Sequence, residues 1–341
     1  GYRMAENKSD VMVSAERLTN DLWAALGSQA LISGIELGVF TQIAAGKRTA
    51  EEVAKAVRAS KRGVRALLDA LAALGYLSKA GEKYKLDPVA DTFLVQGKQT
   101  YMGDLAFATK LTYSNWAFLT EAVKSGKPYQ ALDAEERGKE FFPKLVPALF
   151  RGSYAASRAA LNSLPRKTRE GIKTILDVAA GSGAWSMAFA HGIPEAQVTV
   201  VDYPEVTPIT RDFAKNGGVG ERYHYKEGNL RELDFGKKEF DLVLLGHIIH
   251  SEGEKWGKKL IKKSFDALRP GGLLLIGEMV PNDSRTGPRM PLLFGLNMLM
   301  NTADGDVFTM KQYRQWLKSA GFKSVKTISA PAPSPLILAT K

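Results

Sequence analysis

A small-residue turn between two aspartates is the part of this sequence that points most directly to chemistry. One apolar run ends at Asp177 and leads into a turn that contains Gly181 and Gly183, and a second apolar run ends at Asp202. Glycines let a ligand approach the backbone closely, and the helix predicted to begin near Ala184 presents free N–H groups. The third glycine of a dinucleotide fingerprint and the lysine of a phosphate loop are both missing. The turn therefore favours a nucleotide-containing ligand of another kind.

The charge of the two aspartates narrows the chemistry of that ligand. A carboxylate at the position of Asp177 would repel a pyrophosphate but attract an ammonium or a sulfonium group. Asp202 can accept hydrogen bonds from both hydroxyls of a ribose. A cationic amino-acid part and a ribose on the two sides of a glycine turn describe S-adenosyl-L-methionine, whose product would be S-adenosyl-L-homocysteine. This is the cofactor that we predict, and we predict no metal.

The elements that must position these residues begin near residue 172. From there, apolar runs alternate with helical segments, which predicts a doubly wound α/β domain with its ligands at the carboxyl ends of the strands. The final runs, FKSVKTISA and SPLILATK, are joined by a link too short for a helical crossover. We therefore expect these two strands to form an antiparallel hairpin at the edge of the sheet.

One histidine belongs at the same edge of the sheet as the aspartates. His250 follows the apolar run FDLVLLGHII, so it lies just beyond a strand that ends at the ligand-binding face. The ordinary pKa of a histidine, about 6.5, suits the removal of a proton from a phenol. We therefore expect His250 to act as a general base on a methyl acceptor.

The first hundred residues have a different order of elements. Thr49 and Ser60 are expected caps of two helices, and Glu52 is placed to complete a capping box with Thr49. The segment LSKAGEKYKL then predicts two short strands. Helix, helix, helix and hairpin is the order of a winged helix-turn-helix, which either binds DNA or serves as a dimerisation platform.

Length and composition limit the possible classes of protein. A chain of 341 residues suggests more than one domain, and we predict a division into residues 1–100, an aromatic-rich helical connector 101–165 that contributes to a substrate pocket, and residues 166–341. The net charge of +11 is spread along the chain. The chain has no cysteine, which excludes disulfides and cysteine-bound metals, and no apolar run of about 18 residues, so we expect a cytoplasmic protein without a membrane span.

An ordered set of motifs resembles the class I S-adenosylmethionine-dependent methyltransferases, and among them the small-molecule O-methyltransferase family of plants and bacteria. The motifs are LDVAAGSGAWS, VVDYPEV, EGNL, DLVLLGHIIHSEGEKW, LRPGGLLLIGEMVPND and GDVFTMKQYRQWLKSAGF. The resemblance implies an α/β fold, with a Rossmann-like seven-stranded methyltransferase domain and an N-terminal all-helical winged-helix dimerisation domain. It also implies a homodimer that acts on a small-molecule acceptor, with no nucleic acid and no membrane as a partner.

The resemblance implies roles for individual residues as well. His250 matches the general base of the family, and Glu278 matches an acid that orients it. The implied cofactor-binding residues are Asp177, Gly181, Gly183, Asp202, Tyr203, Asn229, Leu230, Gly246 and His247. Residues in the segments that line the substrate pocket of the family are Trp116, Phe150, Met290, Phe294 and Met298. Packing in the protein core is the alternative explanation for these side chains.

Several positions depart from the pattern of the family. Asn229 replaces the usual aspartate, so the adenine amino group would meet an amide oxygen. Ser251 stands where an aspartate commonly follows the histidine. The second acid that orients the base falls at Val307 and is missing, with Asp304 and Asp306 as possible replacements from the same loop.

The predicted function is the methylation of a hydroxyl on an aromatic or polyketide-like small molecule. Methylation of carbon or nitrogen, and other chemistry on the same fold with S-adenosylmethionine bound, stay open as alternatives. The winged helix keeps a DNA-binding regulator open too, although residues 1–100 carry a net charge of only +3. The helix at residues 64–74 is rich in alanine and leucine, from which we expect it to be buried in a partner.

Overall fold

The computed structural model describes residues 13–129 and 134–341, with side chains described through residue 129 and from residue 145. The chain divides into two units, Gly1–Leu111 and Thr112–Lys341. The predicted three-part division, with boundaries at residues 100 and 165, stays a prediction. Within the described residues, no helix has both the length and the apolar character that crossing a membrane requires.

The N-terminal unit consists of helices followed by a two-stranded hairpin, as its sequence predicts. Its elements are α1 (Glu16–Leu37), α2 (Val39–Ala44), α3 (Ala50–Val57), α4 (Lys61–Ala73), β1 (Leu77–Ala80), β2 (Lys83–Leu86), α5 (Pro88–Phe93) and α6 (Asp104–Trp116), which continues past the unit boundary. Strands β1 and β2 pair antiparallel. The order of α2, α3, α4 and the hairpin is that of a winged helix.

Hydroxyl side chains begin two of these helices. The Thr49 side chain accepts the N–H of Glu52 at 3.2 Å, and Ser60 Oγ accepts the N–H of Gly63 at 3.0 Å. The Glu52 carboxylate accepts from the N–H of Arg48 at 3.4 Å, one residue before the cap. Both predicted caps are therefore present, and the reciprocal contact of the capping box is displaced by one residue.

Helix α4 buries its apolar face within its own unit. Val64, Leu68 and Leu71 are fully buried, in a core that also contains residues of α2, α3 and the hairpin. Ala66, Ala70 and Ala73 of α4, and Leu74 at its end, are exposed. The core of the unit therefore accounts for one face of the helix, and burial of the rest in a partner stays a prediction.

The second unit is an α/β structure built on a seven-stranded sheet. Its helices before the sheet are α7 (Leu119–Ser125), α8 (Ala134–Ser163) and α9 (Arg166–Glu170). The alternating part comprises β3 (Thr174–Val178), α10 (Ala184–Gly192), β4 (Gln197–Asp202), α11 (Thr207–Asn216), a 3₁₀ turn (Gly220–Arg222), β5 (Tyr223–Glu227), β6 (Phe240–Gly246), α12 (Ile249–Ala267), β7 (Leu268–Gly277), α13 (Arg289–Asn301), α14 (Met310–Ala320), β8 (Ser324–Ile328) and β9 (Leu336–Thr340).

The strand order of this sheet is β5-β4-β3-β6-β7-β9-β8. Strands β3 to β7 pair parallel, whereas β9 pairs antiparallel with both β7 and β8, which confirms the predicted terminal hairpin. Neighbouring residues of the central strands point to opposite faces, so that Ile175 belongs to one core layer and Leu176 to the other. Both faces of the sheet are therefore covered.

The strand order reverses beside β3, and the carboxyl ends of the strands at this point carry the residues of interest. Asp177 lies near the end of β3, Asp202 ends β4, Gly246 ends β6, and Glu278 follows β7 directly. Open α/β sheets bind their ligands in the crevice that forms at such a reversal. The fold thus gathers residues that are as much as 101 positions apart along the chain, Asp177 and Glu278.

Candidate active site

Asp177 is a fully buried carboxylate that is held by hydroxyl groups. Ser186 Oγ donates to Asp177 Oδ2 at 2.5 Å and lies 2.8 Å from the hydroxyl of Tyr223. Burial raises the pKa of Asp177 to about 7, and the negative charge of Asp202 adds to this effect. A cation beside Asp177 would lower that pKa again, so the site is suited to a positively charged ligand.

Asp202 holds the glycine turn in place. Its Oδ2 accepts the N–H of Gly181 at 3.1 Å, and its Oδ1 accepts the N–H of Tyr203 at 2.8 Å. Thr210 Oγ1 donates to the carbonyl of Gly181 at 2.6 Å. Gly181 and Gly183 both have positive φ, 56° and 78°, which explains why glycines occupy the turn. A carboxylate has about four acceptor sites, so Asp202 retains capacity for ribose hydroxyls.

Asn229 and Leu230 begin the segment that follows β5. The Asn229 side-chain oxygen accepts the N–H of Arg231 at 2.9 Å, so the amide oxygen expected to meet adenine already has a donor. Leu230 is buried in the core, and its carbonyl accepts from Lys263 Nζ at 2.9 Å. The Arg231 guanidinium lies over the ring of Trp256.

His250 and Glu278 form a hydrogen-bonded pair at the ends of neighbouring strands. The ring Nδ1 of His250 lies 2.7 Å from Glu278 Oε2, and the backbone N–H of His250 donates to Oε1 at 3.1 Å. Glu278 is fully buried, which by itself raises the pKa of its carboxyl group. The hydrogen bonds of His250, and the positive charge that its ring carries when protonated, outweigh this and hold the pKa of Glu278 below its ordinary value. Glu278 is therefore an ionised acceptor beside the histidine.

His247 is the third ionisable side chain of this cluster. Its backbone has a φ of 60°, unusual for a side chain larger than glycine, and burial lowers the pKa of its ring. Nitrogen or oxygen atoms of His247, His250 and Glu278 lie within 4.8 Å of one another, a donor set that a metal could use. The 2.7 Å between His250 and Glu278 is shorter than the roughly 3.3 Å between two ligands of a tetrahedral zinc ion, as expected for a hydrogen bond.

The loop that lacks the second acid packs against the start of α12. Val307 is buried, whereas Asp304 and Asp306 are exposed. The N–H of Asp306 donates to the carbonyl of His250 at 2.9 Å, and its carboxylate accepts the N–H of Val307 at 2.8 Å. Gly253 interrupts the helix with a φ of 86°, and a Cβ there would lie 2.4 Å from the carbonyl oxygen of Asp304. The loop thus touches the His250 turn through its backbone.

Ser251 also bonds to the backbone. Its hydroxyl donates to the carbonyl of Ile248 at 2.9 Å, within the first turn of α12. The described contacts of Ser251 therefore serve the helix start, and they do not include the ring of His250.

The predicted substrate residues are placed in different surroundings. The ring of Phe294 meets that of His250 edge to face, with centroids 4.8 Å apart, and Trp116 Nε1 donates to Asn297 on the same helix, α13, at 2.9 Å. Met298 is buried, whereas Met290, the second residue of α13, is exposed. Phe150 stacks on Phe213 of α11, with centroids 4.9 Å apart. The described contacts thus join Phe294 to His250 and assign Phe150 to a separate aromatic stack.

Two family models match the chain. One describes an O-methyltransferase domain and covers residues 120–323, and the other describes an O-methyltransferase dimerisation domain and covers residues 22–96. The chain belongs to the O-methyltransferase family. It is an S-adenosylmethionine-dependent methyltransferase, as the sequence motifs imply.

Relatives and solved structures extend this similarity over nearly the whole methyltransferase. The 3-hydroxy-5-methyl-1-naphthoate 3-O-methyltransferase of Streptomyces sahachiroi is 30% identical, over 93% of this chain and 91% of the relative. The N,N-dimethyltransferase OxyT of Streptomyces rimosus is 29% identical, over 87% of each chain.

Two solved structures have the same fold. Human N-acetylserotonin methyltransferase in complex with S-adenosylmethionine is 25% identical, has a TM-score of 0.81, and is matched over 98% of this chain and 99% of that one. An O-methyltransferase family protein from Burkholderia thailandensis has a TM-score of 0.85 at 23% identity, over 97% and 99% of the two chains.

Sequence reasoning missed the part that Trp185 plays in this methyltransferase. The indole covers the ends of β6 and β7: a Cβ on Gly246 would lie 2.4 Å from it, and one on Gly277 would lie 2.5 Å away. Its ring centroid is 5.9 Å from that of His247. The signal in the sequence was a glycine at the end of each of two apolar strands, Gly246 and Gly277, which indicates that a large side chain packs against both strand ends.

Proposed function

We propose that this methyltransferase methylates a hydroxyl of an aromatic or polyketide-like small molecule, with His250 as the general base. The observation that carries the proposal is the 2.7 Å contact between His250 Nδ1 and a buried, ionised Glu278. An ionised carboxylate can only accept a hydrogen bond, so Nδ1 must hold the proton of the neutral ring. The lone pair of Nε2 is then available to take the proton of an acceptor hydroxyl.

Glu278 contributes to this step by position and by charge. It keeps the His250 ring in one tautomer and one orientation, through contacts to both the ring and the backbone N–H of His250. As the ring gains a proton from the acceptor, its positive charge is stabilised by the carboxylate 2.7 Å away. Glu278 acts through His250 and is therefore a positioning residue.

The residues at the strand ends suit S-adenosylmethionine, which when bound supplies a methyl group activated by a sulfonium. Asp177 would attract the cationic amino-acid part, beside the N–H groups at the start of α10 and the turn of Gly181 and Gly183. Asp202 would accept the ribose hydroxyls. Asn229, Leu230 and Tyr203 would flank the adenosine, and Gly246 and His247 would close the site from β6, with Trp185 beneath them.

The apolar side chains near His250 support a flat, aromatic acceptor. The ring of Phe294 stands against the His250 ring, and Trp116 is tied to the same helix as Phe294, Met290 and Met298. Methionine side chains adapt to irregular apolar surfaces and contact aromatic rings favourably. A relative that is 30% identical carries the name of a naphthoate 3-O-methyltransferase, an enzyme for a fused aromatic acceptor. Phe150, in its separate stack, contributes least to this argument.

Transfer of a labelled methyl group from S-adenosylmethionine tests the proposal. A panel of phenols and hydroxynaphthoates is compared with amines of similar shape, because one relative is named as an N,N-dimethyltransferase. We expect transfer to hydroxyls, and a loss of about 100-fold or more in His250→Gln with an unchanged rate in His224→Gln, a histidine on β5. Transfer to amines alone, or full activity in His250→Gln, contradicts the proposal.

A homodimer formed through the N-terminal unit is the second part of the proposal. Four apolar residues of α1 are each at least 60% exposed and form one stripe: Leu18, Leu22, Trp23 and Leu26. The last three lie within the dimerisation-domain match, which begins at residue 22. Apolar patches of this kind mark protein interfaces. We expect the wild type to sediment as a dimer and Leu22→Glu as a monomer, with Val123→Glu, an exposed apolar residue on α7, as the control. A dimeric Leu22→Glu variant would contradict this interface.

The absence of cysteine from the sequence is the basis for proposing a cytoplasmic location. Fractionation of cells that express the tagged protein tests this, and recovery outside the cytoplasm would contradict it.

A further inference from the structure

The carboxylate of Asp177 is one end of a hydrogen-bonded chain that starts two strands away, on β5. Ser186 Oγ, on α10, lies 2.5 Å from Asp177 Oδ2, and the hydroxyl of Tyr223, on β5, lies 2.8 Å from the same Oγ. All three side chains are buried. Because alternate residues of a strand share a face, Asp177 lies on the face of Ile175, whose core layer also contains Tyr223 and residues of α10. The fold therefore brings β3, α10 and β5 together to build this chain.

The chemistry of the three groups fixes the direction of donation along the chain. An ionised carboxylate can only accept a hydrogen bond, so Ser186 Oγ donates to Asp177. The Ser186 oxygen is then free to accept, and the Tyr223 hydroxyl is its donor. Burial raises the pKa of the Tyr223 phenol, which therefore keeps its proton at ordinary pH. Two hydroxyls in series thus direct their hydrogens toward one carboxylate.

The hydrogen bond from Ser186 opposes the effect of burial on Asp177. Burial is the largest influence on the pKa of Asp177 and raises it, whereas the Ser186 hydroxyl is the largest influence that lowers it. The carbonyl of Gly183, at 3.2 Å, is a second acceptor for this hydroxyl. A donor on the Ser186 oxygen polarises the hydroxyl and strengthens the bond that it gives to the charged group. Tyr223 therefore acts on Asp177 through Ser186.

The elements packed around Asp177 carry four other titratable groups. Asp202, at the end of β4, raises the pKa of Asp177 by its negative charge. The ring of His191, on α10, is hydrogen-bonded at both nitrogens. On β6, Asp241 accepts the N–H groups of residues 173 and 174, at the opposite end of β3, and the ring of His247, after β6, lies beside an indole. These groups stay the same in every variant below, so differences between variants report on the hydroxyls.

We propose that Tyr223 is a positioning residue of the cofactor site, which acts through Ser186 to keep the Asp177 carboxylate ionised and fixed in place for a cationic ligand. The inference rests on the proposed role of Asp177 toward the amino-acid part of S-adenosylmethionine. It also gives a reason for the reach of Tyr223 from the edge strand β5 to the glycine turn, where a Cβ on Gly183 would lie 3.8 Å from its ring.

The test is calorimetric titration with S-adenosylhomocysteine at pH 6 and pH 8. Because the pKa of ligand-free Asp177 is about 7, the wild type should bind about tenfold more weakly at pH 6 than at pH 8. Loss of the Ser186 hydroxyl should raise that pKa by about one unit, and loss of the Tyr223 hydroxyl by about half a unit. We therefore expect the ratio of the two affinities to rise to about 50-fold in Ser186→Ala and about 25-fold in Tyr223→Phe.

Each variant has a matched control outside the chain. Ser264→Ala removes another buried serine hydroxyl, which donates to a carbonyl within α12 at 2.7 Å. Tyr225→Phe removes the hydroxyl of a half-buried tyrosine on β5, beneath the guanidinium of Arg211. Both controls should keep the tenfold ratio of the wild type.

Substitution of Asp177 itself shows whether the two hydroxyls act through the carboxylate. In an Asp177→Asn background, Ser186→Ala and Tyr223→Phe should leave the ratio of the two affinities unchanged. A merely structural role would lower the melting temperatures of the single variants and leave their ratios at the wild-type value. A wild-type ratio in Tyr223→Phe, or an equal rise in the Asp177→Asn background, overturns the inference.

Unfolding of the ligand-free protein separates this inference from the proposed function. The free energy of unfolding should decrease with rising pH until Asp177 is ionised, and in Tyr223→Phe this decrease should continue to a pH about half a unit higher. If Asp177→Asn binds S-adenosylhomocysteine as tightly as the wild type, the proposed role of Asp177 fails, and the unfolding data still report on the chain. If Asp177→Asn binds weakly and Tyr223→Phe behaves as the wild type in both measurements, the inference about Tyr223 fails alone.

Discussion

Asp177 and Glu278 are both fully buried carboxylates at the carboxyl ends of strands in one sheet, yet they differ in charge. Burial and the nearby Asp202 raise the pKa of Asp177 to about 7, and its hydrogen-bond donor is a neutral serine hydroxyl. The pKa of Glu278 is held below its ordinary value, because His250 makes two hydrogen bonds to it and its ring is positively charged when protonated. Burial is common to the two groups, so the neighbours account for the difference.

This contrast indicates which parts of the site are complete in the protein alone. Glu278 already has its partners and is ready to orient the base. Asp177 lacks a cation among the described residues, so a positively charged ligand completes it. Pairs of carboxyl groups whose surroundings push their pKa values apart often divide the work of an active site in this way.

The largest effect is expected for Asp202, a carboxylate that has backbone partners and would also bind the ribose. Asp202→Ala removes an acceptor for ribose and also the acceptor that holds Gly181 N–H at 3.1 Å. We expect the dissociation constant of S-adenosylhomocysteine, measured by calorimetry, to rise about 100-fold, or roughly 2.7 kcal/mol. Asp212→Ala, an exposed acid on α11, is the control and should bind normally. Binding within about threefold of the wild type would show that Asp202 serves the turn alone.

The second largest effect is expected when Glu278, the ionised member of the two buried carboxylates, loses its charge. Glu278→Gln keeps the volume but removes the charge that fixes the His250 tautomer. We expect kcat to fall about 10- to 100-fold, with the affinity for S-adenosylhomocysteine nearly unchanged. Glu254→Gln, an exposed acid paired with Lys258 on the same helix as His250, is the matched control. If Glu278→Gln lost its affinity for S-adenosylhomocysteine and kept its kcat, Glu278 would serve cofactor binding and not the base.

A smaller effect, on stability, is expected at Asp177. Its ordinary pKa is 3.8, so between pH 3.8 and about 7 the folded protein holds a proton that the unfolded chain has released. The free energy of unfolding of the ligand-free protein therefore decreases as the pH rises through this range. Asp177→Asn should remove that decrease and be about 1 to 2 kcal/mol more stable than the wild type at pH 8.

Denaturant unfolding of both proteins at pH 5.5 and pH 8 checks this prediction. The same Asp177→Asn variant should bind S-adenosylmethionine more weakly, because the cation loses its carboxylate. Ser125→Ala, a change on α7 in the same unit, serves as the control. A parallel loss of stability with pH in Asp177→Asn and the wild type would assign that loss to other groups.

The smallest effect is expected in the loop that lacks the second acid. Asp306 is exposed and its carboxylate accepts the N–H of Val307, a bond that an asparagine oxygen can also accept. We expect Asp304→Asn and Asp306→Asn to keep kcat within about twofold of the wild type over the whole pH range. A loss like that of Glu278→Gln in either variant would identify it as the replacement acid.

Much of the fold could be predicted from short segments. The cap at Ser60, the hairpin in LSKAGEKYKL and the terminal antiparallel strands depend on residues close in sequence, and all three are present. The displaced contact of Glu52 shows the limit of such patterns, because a flexible carboxylate can choose between two neighbouring N–H groups. Helix α4 shows a second limit, because apolar periodicity says that a face is buried, and not what buries it.

The site was predicted less completely, because its contacts join distant parts of the chain. The motif identified Asn229, but the bond from Arg231 N–H to its amide oxygen depends on the local turn. The stack of Phe150 on Phe213 joins α8 to α11, and the cover of Trp185 over two glycines joins α10 to β6 and β7. The roles of the predicted site residues stay predictions.

The sequence alone determined the seven strands, the glycine turn and the acids and histidines at the strand ends, because hydrophobic period and backbone preference act over a few residues. Only the tertiary structure decided that Glu278 meets His250 across 28 positions of the chain. The charge of a buried carboxylate depends on such neighbours, and strand order and packing place them.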